Sequence, residues 1–139
     1  MSSRVLPAVL LTILGLAALP ATAADRTSIL KDYAAAAKAA DPAFAGFSAP
    51  RGETLFRSKH VGGKPDTPMC TTCHGDDPRK EGKTRAGKVI EPLAGSVTAA
   101  RYTDPEKIEK WFKRNCDGVM GRECTALEKG DFITFMIGQ

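Results

Sequence analysis

The chain has 139 residues, of which 26% are charged and 42% hydrophobic, and its formal net charge is +4. This length suits one small domain around one core and is too short for two domains. The basic residues are mixed with acidic ones and form no stripe interleaved with aromatic residues, which excludes nucleic acid as a partner.

The N-terminal segment has the three parts of a secretory signal peptide. Arg4 provides the positive start, residues 8–19 are mostly apolar, and residues 21–23 form a small-residue cleavage site. The apolar stretch is shorter than the roughly 20 residues that a membrane span needs, so a membrane anchor is disfavoured. We predict that residues 1–24 are removed on export and that residues 25–139 form a periplasmic domain, with no membrane contact other than through the export signal.

Two helices are predicted in the first half of this domain. Residues 27–40 are rich in alanine and are followed by Pro42, which ends the helical pattern. Residues 51–60 form the second predicted helix, in which Gly52 and Phe56 share a face. A glycine inside a helix costs about 1 kcal/mol relative to alanine, so Gly52 indicates that another backbone comes close there.

The run Cys70-Thr71-Thr72-Cys73-His74 is typical of covalent haem attachment. Thiols separated by two residues lie about one helical turn apart, which suits thioether bonds to the two vinyl groups of one porphyrin. His74 then supplies a neutral imidazole nitrogen as the proximal iron ligand, and the Pro92 carbonyl is the predicted acceptor for its other ring nitrogen. The sequence therefore predicts one covalent haem c.

Two other interpretations of this motif are weaker. A thioredoxin-like redox pair requires a βαβ context, and none is visible around it. A zinc site requires two further ligands, whereas Cys116 and Cys124 are eight residues apart and His60 is the only other histidine.

Residues 76–103 have no sustained hydrophobic period and contain many glycines and prolines, so we predict a loop with at most short helical turns around the haem edge. Asp104 followed by Pro105 is a strong helix start, and the helix is predicted to reach about Asn115. One face of this predicted helix carries four residues at spacings of three and four: Ile108, Trp111, Phe112 and Asn115.

The last predicted helix begins at Thr125. Thr125 and Glu128 have the spacing of a capping box, and an apolar helix follows through Met136. Gly130 in this helix is predicted to match Gly52 in the second helix. We therefore predict that these two helices cross.

The sixth iron position decides between plain electron transfer and ligand chemistry. Methionine is the usual ligand of electron carriers, and the mature chain offers Met69, Met120 and Met136. Met69 adjoins the attachment motif, too near to reach across the ring, and Met136 is expected to pack in the core. Met120 stays a candidate.

Four short motifs occupy residues 101–132: Arg101-Tyr102-Thr103-Asp104, Lys110-Trp111-Phe112-Lys113-Arg114-Asn115-Cys116, Gly121-Arg122-Glu123-Cys124-Thr125-Ala126 and Glu128-Lys129-Gly130-Asp131-Phe132. This stretch resembles the sphaeroides haem protein family, oxygen-binding monohaem cytochromes c with an asparagine axial ligand. The residue that matches this ligand is Asn115, whereas a related cytochrome with redox-linked ligand release has histidine at the equivalent place. The chain departs from the family at residues 96–99, where relatives often have Asn-Pro.

The resemblance implies an all-α, class I-like cytochrome c fold, in which the helix from Asp104 to Asn115 covers the distal haem face. It also implies a short disulfide-closed loop between Cys116 and Cys124, which fits an oxidising compartment. Further candidates for contacts to the propionates or the ring are Arg101, Tyr102, Trp111 and Lys88. The implied partners are a dihaem cytochrome c or other redox protein as electron donor, and O2 or NO as the small ligand.

The chemistry of an amide ligand agrees with this assignment. An amide oxygen is hard, neutral and weak, so it suits Fe(III) better than Fe(II), and reduction of the iron loosens Asn115. We predict electron transfer with O2 or NO binding to the reduced haem. One alternative is an electron carrier that stays six-coordinate through Met120. The other is a haem oxygen or peroxide reductase, for which His60 is the only obvious proton donor. Without such a role, His60 is expected to face solvent or the haem edge.

Overall fold

The structure, a computed structural model, describes residues 25–139, so the predicted signal peptide lies outside the described residues. The elements in chain order are α1 (Arg26–Ala40), α2 (Ala49–Arg57), α3 (Thr71–His74), β1 (Gly82–Lys83), β2 (Val89–Ile90), α4 (Pro105–Met120) and α5 (Ala126–Ile137). Within residues 25–139, no helix has both the length and the apolar character needed to cross a membrane. The predicted predominance of helix is confirmed.

Side-chain caps fix where the two C-terminal helices begin. The Asp104 side chain accepts a hydrogen bond from the backbone N–H of Lys107, and Pro105 is the first helical residue. At α5, Thr125 and Glu128 form the predicted capping box, in which each side chain accepts from the other's backbone N–H. Both predicted starts are confirmed.

Two helices differ in length from the prediction. The second helix was predicted over residues 51–60, but α2 begins at Ala49 because Ser48 caps it, and it ends at Arg57. The third was predicted to end near Asn115, whereas α4 continues for five more residues to Met120. It ends at Gly121, which adopts a left-handed conformation with φ of 67° and donates its N–H to the Asp117 carbonyl.

The prediction for residues 76–103 was incomplete, because this segment contains a short antiparallel hairpin. Gly82 pairs with Ile90 and Lys83 pairs with Val89. Two-residue strands are too short to produce a hydrophobic period, which explains the omission. A Cβ atom on Gly82 would overlap the Cys73 carbonyl, so the hairpin lies directly against α3.

The crossing of α2 and α5 is confirmed. A Cβ atom on Gly52 would overlap the backbone carbonyl of Asp131, so the glycine permits direct backbone contact between the helices. Gly130 has a different role from the predicted one, since the space beside it is filled by the Phe47 ring. An ion pair between Arg51 Nε and Asp131 Oδ2, 2.7 Å apart, secures the crossing.

The main core lies between these helices and the loop before α4. Its buried members are Ile29, Phe56, Leu93, Tyr102, Ile108, Ile133, Phe135 and Met136. Cys70 and Phe112 are partly buried and pack against this cluster. The core therefore joins the Cys-x-x-Cys-His motif to the helix that carries Asn115.

Candidate haem site

The attachment motif forms a single helical turn. Cys70 precedes α3, Cys73 and His74 lie within it, and both cysteines are half-buried free thiols. Burial raises the pKa of the Cys70 thiol to about 11, so this group is protonated at neutral pH. The two thiols lie on one turn, as the predicted thioether bonds to one porphyrin require.

His74 is in the protonation state that binds iron. Burial, followed by the positive charge of Arg101, lowers the pKa of His74 to about 4. The imidazole is therefore neutral at neutral pH, and a neutral ring nitrogen is the form that ligates metals.

The predicted acceptor for His74 has other partners. The Pro92 carbonyl accepts from Thr98 Oγ1 at 3.0 Å and from Arg101 Nε at 3.1 Å. A carbonyl oxygen has two lone pairs, and both are used here. In the described part of the chain no hydrogen bond joins Pro92 to His74, so the predicted contact is absent from this structure.

Arg101 and Tyr102 hold the loop that precedes α4. Arg101 also donates to the Glu91 carbonyl at 2.8 Å, and the Tyr102 hydroxyl donates to the Leu93 carbonyl at 3.0 Å. Tyr102 has a positive φ of 62°, a conformation that non-glycine residues rarely adopt. These contacts give both residues a structural role in the loop, in addition to their predicted role in contacting the haem.

Arg26, the first residue of α1, also holds this loop, a role that was not predicted from the sequence. Its guanidinium donates to the carbonyls of Arg101 at 2.9 Å, Gly95 at 3.2 Å and Ala99 at 2.7 Å. The bonds join residues about 70 positions apart, so no local pattern in the sequence indicates them.

The helix α4 presents Trp111 and Asn115 at the edge of its buried stripe. Ile108 is buried and Phe112 half-buried, whereas Trp111 is 42% exposed and Asn115 is also exposed. Trp111 and Asn115 are one turn apart, and the Arg114 guanidinium carbon lies 5.7 Å from the Trp111 ring centroid. An aromatic ring and an amide therefore lie side by side on an accessible face of α4.

The disulfide implied by the resemblance is present between Cys116 and Cys124, with Cα atoms 5.6 Å apart. Met120 is buried with these two cysteines in a second cluster, against which Leu55 and Phe112 pack. Met136 is fully buried in the main core, as predicted.

Two other predicted candidates lie elsewhere. His60 follows α2, is half-buried, and its Nε2 atom lies 2.8 Å from the Leu55 carbonyl, to which it hydrogen-bonds. Lys88 is exposed at the hairpin, where its backbone N–H donates to Thr84 Oγ1.

The donor set fits a c-type haem. The motif offers two thiols on one turn and a neutral imidazole next to them, and α4 offers an amide and an indole ring. In addition, the buried Thr71 hydroxyl oxygen, between the two cysteines, has no hydrogen-bond partner within residues 25–139. This chemistry is what covalent attachment and axial ligation of one haem require.

The chain is similar to a described protein family and to known c-type cytochromes. Residues 42–136 match a family described as "Domain of unknown function (DUF1924)". The chain is 49% identical over 122 residues to cytochrome c-type protein SHP of Cereibacter sphaeroides, covering 86% of this chain and 90% of that protein. It is 32% identical over 106 residues to cytochrome c'' of Methylophilus methylotrophus, covering 76% and 74% respectively.

Solved structures of these two relatives share the fold. Oxidised SHP, described as an oxygen-binding cytochrome c, superposes with a TM-score of 0.77 at 46% identity, covering 84% of this chain and 98% of that one. A solution structure of cytochrome c'', which concerns the structural basis of haem-ligand detachment, superposes with a TM-score of 0.70 at 31% identity, covering 82% and 93%. The predicted cytochrome c-like fold is confirmed, and the chain belongs to the SHP family of c-type cytochromes.

Proposed function

We propose that the protein is a periplasmic electron-transfer cytochrome with one covalent haem and a displaceable distal ligand. Cys70 and Cys73 attach the haem, His74 is the proximal ligand, and Asn115 is the distal ligand in the ferric state. Bound haem supplies one-electron chemistry and an iron position for O2 or NO. The observation that carries the proposal is the exposed Asn115 beside Trp111 on α4.

The surroundings of the competing residues support Asn115 as the distal ligand. Met120, the alternative for a six-coordinate electron carrier, is 8% exposed and packs against the disulfide. To reach an iron atom it would have to leave this cluster, which costs about 2 kcal/mol or more in lost burial. His60 is engaged with the Leu55 carbonyl. Asn115 needs no such rearrangement.

The ligand chemistry of the amide supports release on reduction. A neutral amide oxygen is a hard donor and binds Fe(III) better than the softer Fe(II). Asn115 therefore holds the distal position in the ferric protein and yields it in the ferrous protein. The relatives support this function, because SHP is described as oxygen-binding and cytochrome c'' as detaching a haem ligand.

The predicted partners and location follow from the same proposal. The predicted signal peptide delivers the chain to the periplasm, where the Cys116–Cys124 disulfide persists. A dihaem cytochrome c or another redox protein supplies the electron, and O2 or NO binds the reduced haem.

Spectra of the purified protein and of Asn115→Ala test this proposal. The chain is expressed in a host competent in cytochrome maturation, and its mass is expected to exceed that of the processed polypeptide by one haem. Ferric wild type is expected to be six-coordinate, with the amide oxygen as a weak sixth ligand. The ferric absorption spectrum of Asn115→Ala is expected to differ from that of the wild type because its distal ligand is removed.

Met120→Leu is the matched control on the same helix. It is expected to keep the wild-type ferric spectrum, since leucine preserves the packing of Met120. An unchanged ferric spectrum for Asn115→Ala together with a changed ferric spectrum for Met120→Leu would overturn the assignment in favour of the six-coordinate carrier.

A further inference from the structure

We propose that Lys129 is a positioning residue for the distal ligand, acting through Glu109 to fix α4 and with it the Asn115 side chain. This inference rests on the proposed function, in which Asn115 is the ferric ligand. It assigns a role to a cluster that lies outside the attachment motif and that contacts no residue named above as a haem ligand.

The cluster joins three helices at one carboxylate. Lys129 of α5 donates from Nζ to Glu109 Oε2 of α4 over 2.7 Å. The hydroxyl of Tyr33, from α1, donates to the other oxygen of the same carboxylate. Glu109 therefore connects α4 to α1 and to α5.

The Lys129 ammonium is enclosed rather than solvated. Only 16% of its side chain is exposed. The nitrogen lies 5.7 Å from the centroid of the Tyr33 ring and 5.9 Å from that of Phe112, within the range of cation–π attraction. A charge with so little solvent depends on its partners, so the ammonium favours one arrangement of these rings and of Glu109.

Phe112 transmits this arrangement to the core. Its ring packs edge-on against Phe132 of α5, with centroids 5.6 Å apart, and against Tyr33, with centroids 6.3 Å apart. Lys129 thus contacts two residues of neighbouring turns of α4: the Glu109 carboxylate through a hydrogen bond, and the Phe112 ring through a cation–π contact.

The cluster lies on the N-terminal side of Asn115, and other contacts hold the C-terminal side. Glu109 precedes Asn115 by six residues, which is about 9 Å along a helix. Beyond Asn115, the disulfide fixes Cys116 and the Gly118 carbonyl accepts from the Lys64 N–H at 2.8 Å. In Lys129 variants α4 loses one of its contacts on the N-terminal side of Asn115. A small tilt or rotation of the helix about its tethered C-terminal end then changes the direction of the Asn115 side chain.

A weak ligand is sensitive to such a displacement. Functional groups must be held within about 0.5 Å of their productive position, and an amide oxygen has little bond energy with which to correct the position of a whole helix. Loosening α4 is therefore expected to reduce ferric ligation by Asn115 before it reduces haem retention, which depends on covalent bonds in α3.

The test uses ferric spectra of the haem-loaded protein. Lys129→Met keeps the length and apolar stem of the side chain but removes its charge. We expect it to raise the ratio of ferric haem without the Asn115 ligand to ferric haem with it by about fivefold, the factor that corresponds to one partly buried cation–π or ion-pair contact. The spectra of Asn115→Ala and of the wild type are the end points from which this ligation ratio is read. Lys129→Arg retains the charge and the bond to Glu109, and is expected to restore the wild-type ratio.

Arg51→Met is the matched control for a general loss of stability. Arg51 forms a 2.7 Å ion pair with Asp131 of the same helix α5, but this pair links α5 to α2 and not to α4. Arg51→Met is expected to lower the free energy of unfolding without changing the ligation ratio. Should Lys129→Met yield too little protein, Glu109→Gln removes the same ion pair from the half-exposed partner and is expected to shift the ratio in the same direction.

Each outcome decides the inference. An unchanged ligation ratio in Lys129→Met or, where that variant cannot be made, in Glu109→Gln, overturns it. An equal shift in Arg51→Met also overturns it, because the effect is then one of overall stability. If Asn115→Ala leaves the ferric spectrum unchanged, the proposed function itself fails, whatever the Lys129 variants do.

Discussion

Asn115, with a polar amide, and Met120, with a polarisable thioether, are two candidate iron ligands on α4, five residues apart. Their surroundings decide which of the two is available to ligate iron. Asn115 lies on the accessible edge of the helix, whereas Met120 lies in the cluster around the disulfide. Sequence alone left Met120 open as a ligand, because burial depends on which elements pack against α4. The contact with Leu55 comes from α2 and has no local signal in the sequence.

Tyr102 shows how one side chain secures the loop before α4. Its hydroxyl donates to the Leu93 carbonyl at 3.0 Å in a buried position. Tyr102→Phe is expected to lower the free energy of unfolding by about 1–2 kcal/mol, because it leaves a buried carbonyl without a donor.

Thr103→Ala is the control for this prediction, measured in the same denaturant titration. Its hydroxyl bonds the Ala100 carbonyl at an exposed position, so its loss is expected to cost no more than about 0.5 kcal/mol. Equal costs for the two variants would contradict the role given to the buried Tyr102 hydroxyl.

At the scale of elements, the crossing of α2 and α5 depends on a single glycine. Gly52→Ala is expected to lower the free energy of unfolding by about 1–3 kcal/mol, since its methyl group would overlap the Asp131 carbonyl and force the helices apart. Glu53→Ala changes the adjacent, half-exposed residue of the same helix and is expected to cost about 0.5 kcal/mol or less. A stabilising effect of Gly52→Ala would show that helix propensity outweighs the contact.

The attachment of α4 is expected to depend on pH through Glu109. Burial alone would raise the pKa of Glu109, but hydrogen bonds from Lys129 and Tyr33 and the charge of Lys129 outweigh it, so the pKa lies below its usual value. A carboxylate with a pKa lowered by folding stabilises the fold above its unfolded pKa, and this contribution is lost as the pH falls through the folded value.

The measurement compares wild type with Glu109→Gln. The difference between their free energies of unfolding is expected to shrink as the pH falls below the unfolded pKa of about 4.3 and then through the lower folded pKa of Glu109. A difference that is constant over this range would contradict the contribution of Glu109.

Local signals account for the elements that were predicted correctly. The caps at Asp104 and Thr125 act within one turn, so the sequence contains everything that determines them. The hairpin was missed because its strands are too short for a period, and the bonds from Arg26 were missed because their acceptors are distant in sequence. The end of α4 was predicted too early because the apolar pattern weakens after Asn115. The helix in fact ends at Gly121, whose left-handed conformation terminates it.

In the molecule as a whole, one disulfide and one predicted covalent haem attachment supplement a small core. The Cys116–Cys124 disulfide closes a loop with a sequence separation of eight residues next to Asn115, and the predicted haem is attached through α3. Domains of this size bury a modest fraction of their surface, so crosslinks contribute a large share of their stability.

Removal of the disulfide tests this contribution. The double variant Cys116→Ala and Cys124→Ala is expected to lower the free energy of unfolding by about 2.6 kcal/mol, the chain-entropy value for a loop of this length. The measurement is a denaturant titration of the haem-loaded protein at matched redox state. Unfolding midpoints that coincide with those of the wild type would contradict a stabilising role.

The central claim is that Asn115 gives up the distal position when the iron is reduced. The most direct measurement is the absorption spectrum of the ferrous wild-type protein before and after addition of carbon monoxide. We expect a high-spin ferrous spectrum that carbon monoxide converts to a low-spin one. A ferrous spectrum that is low-spin from the start and unaffected by carbon monoxide would contradict it.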